Sequence, residues 1–165
     1  MPADKSDDIN LSEDFTLNLF IQKAQRYCVF QERSIFQTEQ KLKGWGAGDK
    51  TISKVLKTLH DNDFINQDRF IEAFVRGKLK QNKWGKIKIT VELKAHRIPE
   101  DAINKHLKQI DDSLYKQILK DIIVKKYNEL INEKNLQLKK QKLINYCLSK
   151  GFEFENIDTV LKSLK

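Results

Sequence analysis

Three apolar positions recur at a fixed interval: Leu42, Ile52 and Leu56 stand 51 residues before Leu93, Ile103 and Leu107. Arg33-Ser34 falls on Trp84-Gly85 at the same interval, and Leu148, Gly151, Ile157 and Leu161 take the same roles 54 or 55 residues further on. A period of this size marks one supersecondary unit repeated along the chain, in which each copy buries its apolar face on the next. The interval predicts an all-α chain of three tandem three-helix repeats, an elongated, curved helical array. The expected boundaries are a disordered lead over 1–11 and repeats over 12–65, 66–112 and 113–165.

Each copy reads as one long helix followed by two short ones. Ser12 stands as an N-cap before Phe15, Leu19, Tyr27 and Phe30, which follow at helical spacing. Ser34 with Gln37 three residues on forms a capping box for a second helix, which ends at Gly44. Asp49 is expected to cap a third helix, whose apolar face is Ile52, Val55, Leu56 and Leu59. In the second copy Phe70, Ile71, Phe74 and Val75 share an arc of about 140°, Lys83-Trp84-Gly85 interrupts, and Pro99 opens a helix expected to match the one from Asp49 in length. In the third, helices are expected over about 114–132, 137–150 and 155–164. Only 6 glycines and 2 prolines in 165 residues fit this helical reading.

Residues 87–93 are the one conflict. Ile87, Ile89, Val91 and Leu93 alternate strictly with polar residues and are mostly β-branched, which favours a strand. A lone strand leaves its backbone groups without partners, and no second stretch alternates in this way. Ile87 with Val91 and Ile89 with Leu93 are also i,i+4 pairs, so the repeat predicts helix here.

Charge is unevenly placed. The chain carries net +8, yet residues 1–65 hold 9 basic and 10 acidic residues, 66–112 hold 11 and 7, and 113–165 hold 11 and 6. The last two thirds therefore carry the positive surface, as expected for a partner bearing phosphates or carboxylates. A Lys-rich solvated surface has the same composition. Cys28 and Cys147 sit in apolar helical patterns without a CxxC partner, which predicts reduced, buried thiols. No apolar run reaches membrane-spanning length, and the polar, acidic first ten residues do not read as a targeting peptide. The expected location is the cytoplasm, with no membrane partner.

Two chemical readings fail on inspection. Gly44-Trp-Gly-Ala-Gly-Asp-Lys50-Thr51 nearly spells a phosphate-binding loop, but Asp49 stands where a glycine must precede the lysine, and its carboxylate would repel phosphate. His60, His96 and His106 pair with no Cys, Ser or carboxylate at a catalytic spacing. No active site, metal site or cofactor is expected, and the chain is read as a non-enzyme.

Arg26-Tyr27-Cys28, Arg33-Ser34 and Gln40-Lys41-Leu42, followed by Asp68-Arg69-Phe70, Phe74-Val75-Arg76-Gly77-Lys78, Lys83-Trp84-Gly85-Lys86, Lys88-Ile89 and Glu92-Leu93, then Leu148 to Phe152, together resemble the RecX family of bacterial regulators of the RecA recombinase. The resemblance covers nearly all of the chain after about residue 12. Two departures stand out: Arg97 replaces a glycine usual before the third helix of the second repeat, and Gln40 lies near a position where Leu is common. The resemblance implies a modular helical protein that binds the RecA–DNA filament in its groove and limits filament growth, ATP hydrolysis and strand exchange. Single- and double-stranded DNA are implied partners, and a monomer suffices for such a role. The alternative is a general helical DNA-binding module without a RecA partner.

The residues expected to carry binding are Arg69, Arg76, Lys78, Lys80, Lys83, Trp84, Lys86 and Lys88, all in the basic stretch 68–94. Arginine suits bidentate contact with carboxylate or phosphate, and an indole can stack on a base. The competing reading pairs Arg69 and Arg76 with Glu72 or neighbouring acids and makes Trp84 a core staple between repeats.

Overall fold

A computed structural model describes residues 5–164, with side chains from residue 13 onward. Nine helices make up the described residues, and no strand occurs among them. They are α1 (Lys5–Val29), α2 (Ile35–Gly44), α3 (Asp49–Asp61), α4 (Gln67–Lys80), α5 (Lys86–Ala95), α6 (Glu100–Leu107), α7 (Asp112–Glu129), α8 (Leu136–Ser149) and α9 (Phe154–Ser163). The order long–short–short recurs three times, as the interval in the sequence requires, although α6 has 8 residues against 13 in α3.

Helix α1 begins at Lys5, seven residues before the expected cap Ser12, so residues 5–11 are helix where a disordered lead was expected; residues 1–4 lie outside the described residues.

The helix starts and stops follow from local chemistry. The capping box at α2 is complete: the Gln37 amide donates to Ser34 Oγ at 3.0 Å, and the Ser34 amide donates to Gln37 Oε1 at 3.1 Å. Helix α3 is capped by the backbone of Gly48 and not by Asp49, which sits one residue further on in the first turn. Helix α2 runs to Gly44 as expected, and the left-handed glycine that follows its C-cap Trp45 is Gly46, with φ +88°. Its hydrogen bonds define a motif that all three repeats share. Ala47, Ile98 and Phe152 each donate a backbone N–H to the carbonyl five residues back, on Leu42, Leu93 and Cys147. Gly46, Arg97 and Gly151 precede them, all with positive φ. Arg97 therefore occupies a left-handed position that its two counterparts fill with glycine, and the buried partner of Leu42 and Leu93 in the third repeat is Cys147, not the exposed Leu148.

The described residues fall into two compact units, divided in sequence between Phe70 and Ile71 inside α4. In the first, Ala24, Cys28, Leu42, Ile52, Val55, Leu59 and Ile65 form the core. In the second, Ile89, Leu93, Ile103, Leu119 and Ile157 are fully buried. The disputed segment 87–93 is helix α5. Ile89 and Leu93 form its buried i,i+4 pair, while Ile87 and Val91 form an exposed one. Two apolar pairs on different faces look like strand alternation in the sequence, and that is the origin of the ambiguity.

Within the second unit the turn after α8 docks on the start of α5. Gly85 donates its N–H to the Lys150 carbonyl at 2.8 Å, and Ile87 donates to the Gly151 carbonyl at 3.0 Å. Tyr115 braces the joint: its hydroxyl accepts from the Lys86 amide at 2.9 Å and donates to Glu153 Oε2 at 2.7 Å. Its ring lies 5.1 Å from that of Phe152. Burial of this phenol raises its pKa above the ordinary value, so it stays a hydrogen-bond donor.

Candidate nucleic-acid interface

The segment between α4 and α5 presents the aromatic residue expected at the site. Lys83 adopts φ +56°, and the chain then turns so that the Trp84 amide donates to the Lys78 carbonyl at 3.0 Å. This folds the half-buried indole back along the end of α4. Lys78 Nζ and Lys88 Nζ each lie 4.6 Å from the indole ring centre, and Lys78 Nζ is also 5.1 Å from the Phe74 ring. The ring faces attract the ammonium groups and hold them in place. No carboxylate among the described residues lies within ion-pair distance of either. Two positive charges beside one aromatic ring form an arrangement that suits a phosphate and an adjoining base. Phe74 meets His96 edge-on at 5.6 Å, and burial, with Lys78 nearby, holds that imidazole below its ordinary pKa of 6.5.

The other expected residues divide. Arg76 and Lys80 are exposed on α4, beside a shallow depression lined by Leu79, Asp111 and Leu114. Lys86 turns to the repeat joint, with Nζ 4.8 Å from the Tyr115 ring. Arg69 belongs to the first unit. Its Nε donates to Glu32 Oε1 at 2.9 Å, its Nη1 to Asp63 Oδ2 at 2.5 Å, and its Nη2 to the Asp63 carbonyl at 2.9 Å. All three guanidinium nitrogens are thus engaged within the protein, though with Glu32 and Asp63 rather than Glu72. The structure brings together Lys78, Trp84 and Lys88, with Lys83 adjoining in sequence.

Each repeat carries an aromatic ring with two cations within 6 Å, and two of these were not apparent in the sequence. Trp45 has Lys23 Nζ at 4.6 Å and Lys41 Nζ at 5.6 Å, and Tyr146 has Lys126 Nζ at 5.1 Å and Lys150 Nζ at 5.6 Å. The readable signal was the i,i+4 spacing of Lys41 with Trp45 and of Tyr146 with Lys150. Lys23 and Lys126 come from other helices and gave none.

Cys28 and Cys147 are free and buried, and burial pushes both thiols up, Cys147 to about 11, which makes them poor nucleophiles. No metal-binding cluster of His, Cys, Asp and Glu occurs among the described residues. The near-phosphate loop is a helix start, and Lys50 lines a shallow pocket together with Glu13 and Asp14. No described helix is long and apolar enough to cross a membrane.

Residues 66–107 match the family model for the second three-helix domain of RecX. The chain is also 32% identical over 146 residues to the regulatory protein RecX of Clostridium tetani, across 88% of its own length. The chain belongs to the RecX family. It spans 63% of the length of that Clostridium relative, and 92% of the regulatory protein RecX of Prosthecochloris aestuarii, to which it is 26% identical. The crystal structure of RecX from Lactobacillus salivarius has the same helical fold, with a TM-score of 0.80 at 24% identity, covering 90% of this chain and 96% of that one. The segment matched by the RecX family model contains all eight residues expected to bind.

Proposed function

We propose that the chain regulates the RecA recombinase, mainly negatively, by binding along the groove of the RecA–DNA filament in the cytoplasm. In this reading it limits filament growth, and with it ATP hydrolysis and strand exchange. Membership of the RecX family supports the regulatory role. The observation that carries the binding mode is Trp84 with Lys78 and Lys88 at 4.6 Å, a cation-flanked ring inside the segment that matches the RecX domain. The ammonium groups supply salt-dependent attraction to phosphate or filament carboxylates, and the indole supplies a stacking face. Arg76 and Lys80 extend the charge along α4. Arg69 supports the fold through Glu32 and Asp63 and contributes to binding only through that support.

The test is RecA's DNA-dependent ATPase. Amounts of this protein below one per RecA monomer are expected to suppress it. Suppression only when the protein covers all the DNA would favour a general DNA-binding module without a RecA partner.

A further inference from the structure

The third repeat holds a groove that the RecA reading does not use. Helices α7, α8 and α9 line a cavity of about 470 Å³, whose apolar walls include Val124, Tyr127, Leu136, Leu143 and Leu161. Tyr127 is 50% exposed and Leu136 is 76% exposed, so the walls stand open to solvent. Lys139 projects into this apolar setting with only 7% of its surface exposed. Its Nζ lies 3.6 Å from the Tyr127 ring centre, and no carboxylate among the described residues is within ion-pair distance of it. The nearby acids are engaged: Asp158 pairs with Lys162 at 2.6 Å, and Glu133 pairs with Lys142 at 2.7 Å. The stem of Lys139 is buried while its ammonium stays open to the groove without an anion, so an incoming carboxylate would gain an ion pair there. Lys140 adds positive charge to the same lining, where Lys162 and Asp158 offset one another.

The repeat indicates what shape of ligand fits. Lys140, Asp158, Leu161 and Lys162 correspond, 54 residues earlier, to Lys86, Asn104, Leu107 and Lys108. In the second repeat those four residues line a cavity together with Glu153 of the third, so an acidic residue at a helix start already meets this surface once in the molecule. The joint made there by Gly85 is closed to a further occupant. The residue equivalent to Gly85 is Lys139, whose amide is already bonded to the Asn135 carbonyl at 2.8 Å inside the longer α8. The backbone contact that Gly85 makes in the second repeat is therefore not available at Lys139.

We infer that this groove receives an acidic amphipathic α-helix of a partner protein, whose apolar stripe covers Tyr127 and Leu136 and whose carboxylate meets Lys139. The inference stands independently of the RecA reading. Its probe is a fluorescent synthetic helix of about 18 residues, or five turns, with Leu at i, i+3, i+4 and i+7 and Glu on the flanks. Two control peptides accompany it, one with a scrambled order and one with Lys in place of Glu. With the full chain, the Leu/Glu helix should bind, and its amide chemical-shift changes should cluster on α7, α8 and α9. Lys139→Met, which keeps the apolar stem, should retain wild-type helicity and weaken binding about tenfold, the effect of losing about 1.4 kcal/mol. Leu136→Glu should abolish it. Four results would overturn the inference: equal binding of the scrambled peptide, an unchanged affinity in Lys139→Met, shifts centred on Trp84, or self-association of the free chain that Leu136→Glu abolishes. The last would assign the groove to a second copy of this protein.

Discussion

Gly85 and Gly151 lie backbone against backbone, and neither position has room for a methyl group. A Cβ on Gly85 would overlap the Gly151 carbonyl, and one on Gly151 would overlap Lys88. Gly151 also has φ +87°, which alanine adopts only with strain. Gly85→Ala and Gly151→Ala are each expected to destabilise the second unit by about 2–3 kcal/mol, the range for overpacking a tight site. Gly77 in α4 has nothing within 4 Å of the place a methyl group would take, so Gly77→Ala should instead stabilise by about 0.5 kcal/mol. Urea unfolding followed by circular dichroism reads both signs in one series.

Arg97 offers the opposite test of the same motif. It holds φ +59° where Gly46 and Gly151 stand in the other repeats. A non-glycine residue in this region costs about 1–2 kcal/mol, and a glycine adds unfolded-state entropy worth about half of that. Arg97→Gly should therefore raise the melting temperature by about 2 °C. A fall would show that the contacts of the Arg97 side chain outweigh its backbone strain.

The fold was largely legible because each repeat restates the same apolar positions. The interval placed Leu42 on Leu93 and Ile52 on Ile103, and it resolved Ile87–Leu93 as helix against the local pattern. The helix ends were less legible. Gly44, Gly46 and Gly48 lie close together, and only the backbone shows that α2 closes on Gly44 with Gly46 left-handed after it, while Gly48 caps α3. Leu148 reads as the buried partner in the sequence because it is the more apolar neighbour of Cys147. At the site, Trp84 and its neighbouring lysines stood out as a cluster in the sequence. The pairing of Arg69 with Glu32, 37 residues away, left no local mark.

Arg69 joins Glu32 and Asp63, so its loss should register first as a loss of stability. Hydrogen bonds from Asn66 and from Arg69 hold the Asp63 carboxyl below its ordinary value of 3.8. A carboxyl lowered in the folded state contributes stability that is fully present above pH 3.8 and is lost as the pH falls through its folded value. Arg69→Ala is expected to lower the melting temperature at pH 7, with the gap to wild type closing below about pH 4. Arg69→Lys should recover only part of the loss, because one ammonium cannot reproduce a forked contact with two acids. Arg76→Ala, at an exposed position, should leave the melting temperature unchanged.

Trp84, Lys78 and Lys88 should separate stacking from charge. Trp84→Ala is expected to weaken single-stranded DNA binding by about 1–3 kcal/mol. Lys78→Ala and Lys88→Ala should each reduce the slope of log affinity against log salt by about 1. Binding should also quench indole fluorescence, and Trp84→Phe should remove most of that signal while leaving the contribution of Trp45. Fluorescence titrations at several salt concentrations read all three effects.

The most direct measurement is the rate of RecA ATP hydrolysis on saturating single-stranded DNA as this protein is added. A steep fall in rate at less than one molecule per RecA monomer is predicted, with the curve displaced to higher concentration by the triple variant Lys78→Ala, Trp84→Ala, Lys88→Ala. An unchanged rate up to a full equivalent of wild-type protein, under conditions where it binds the same DNA without RecA, would contradict the account.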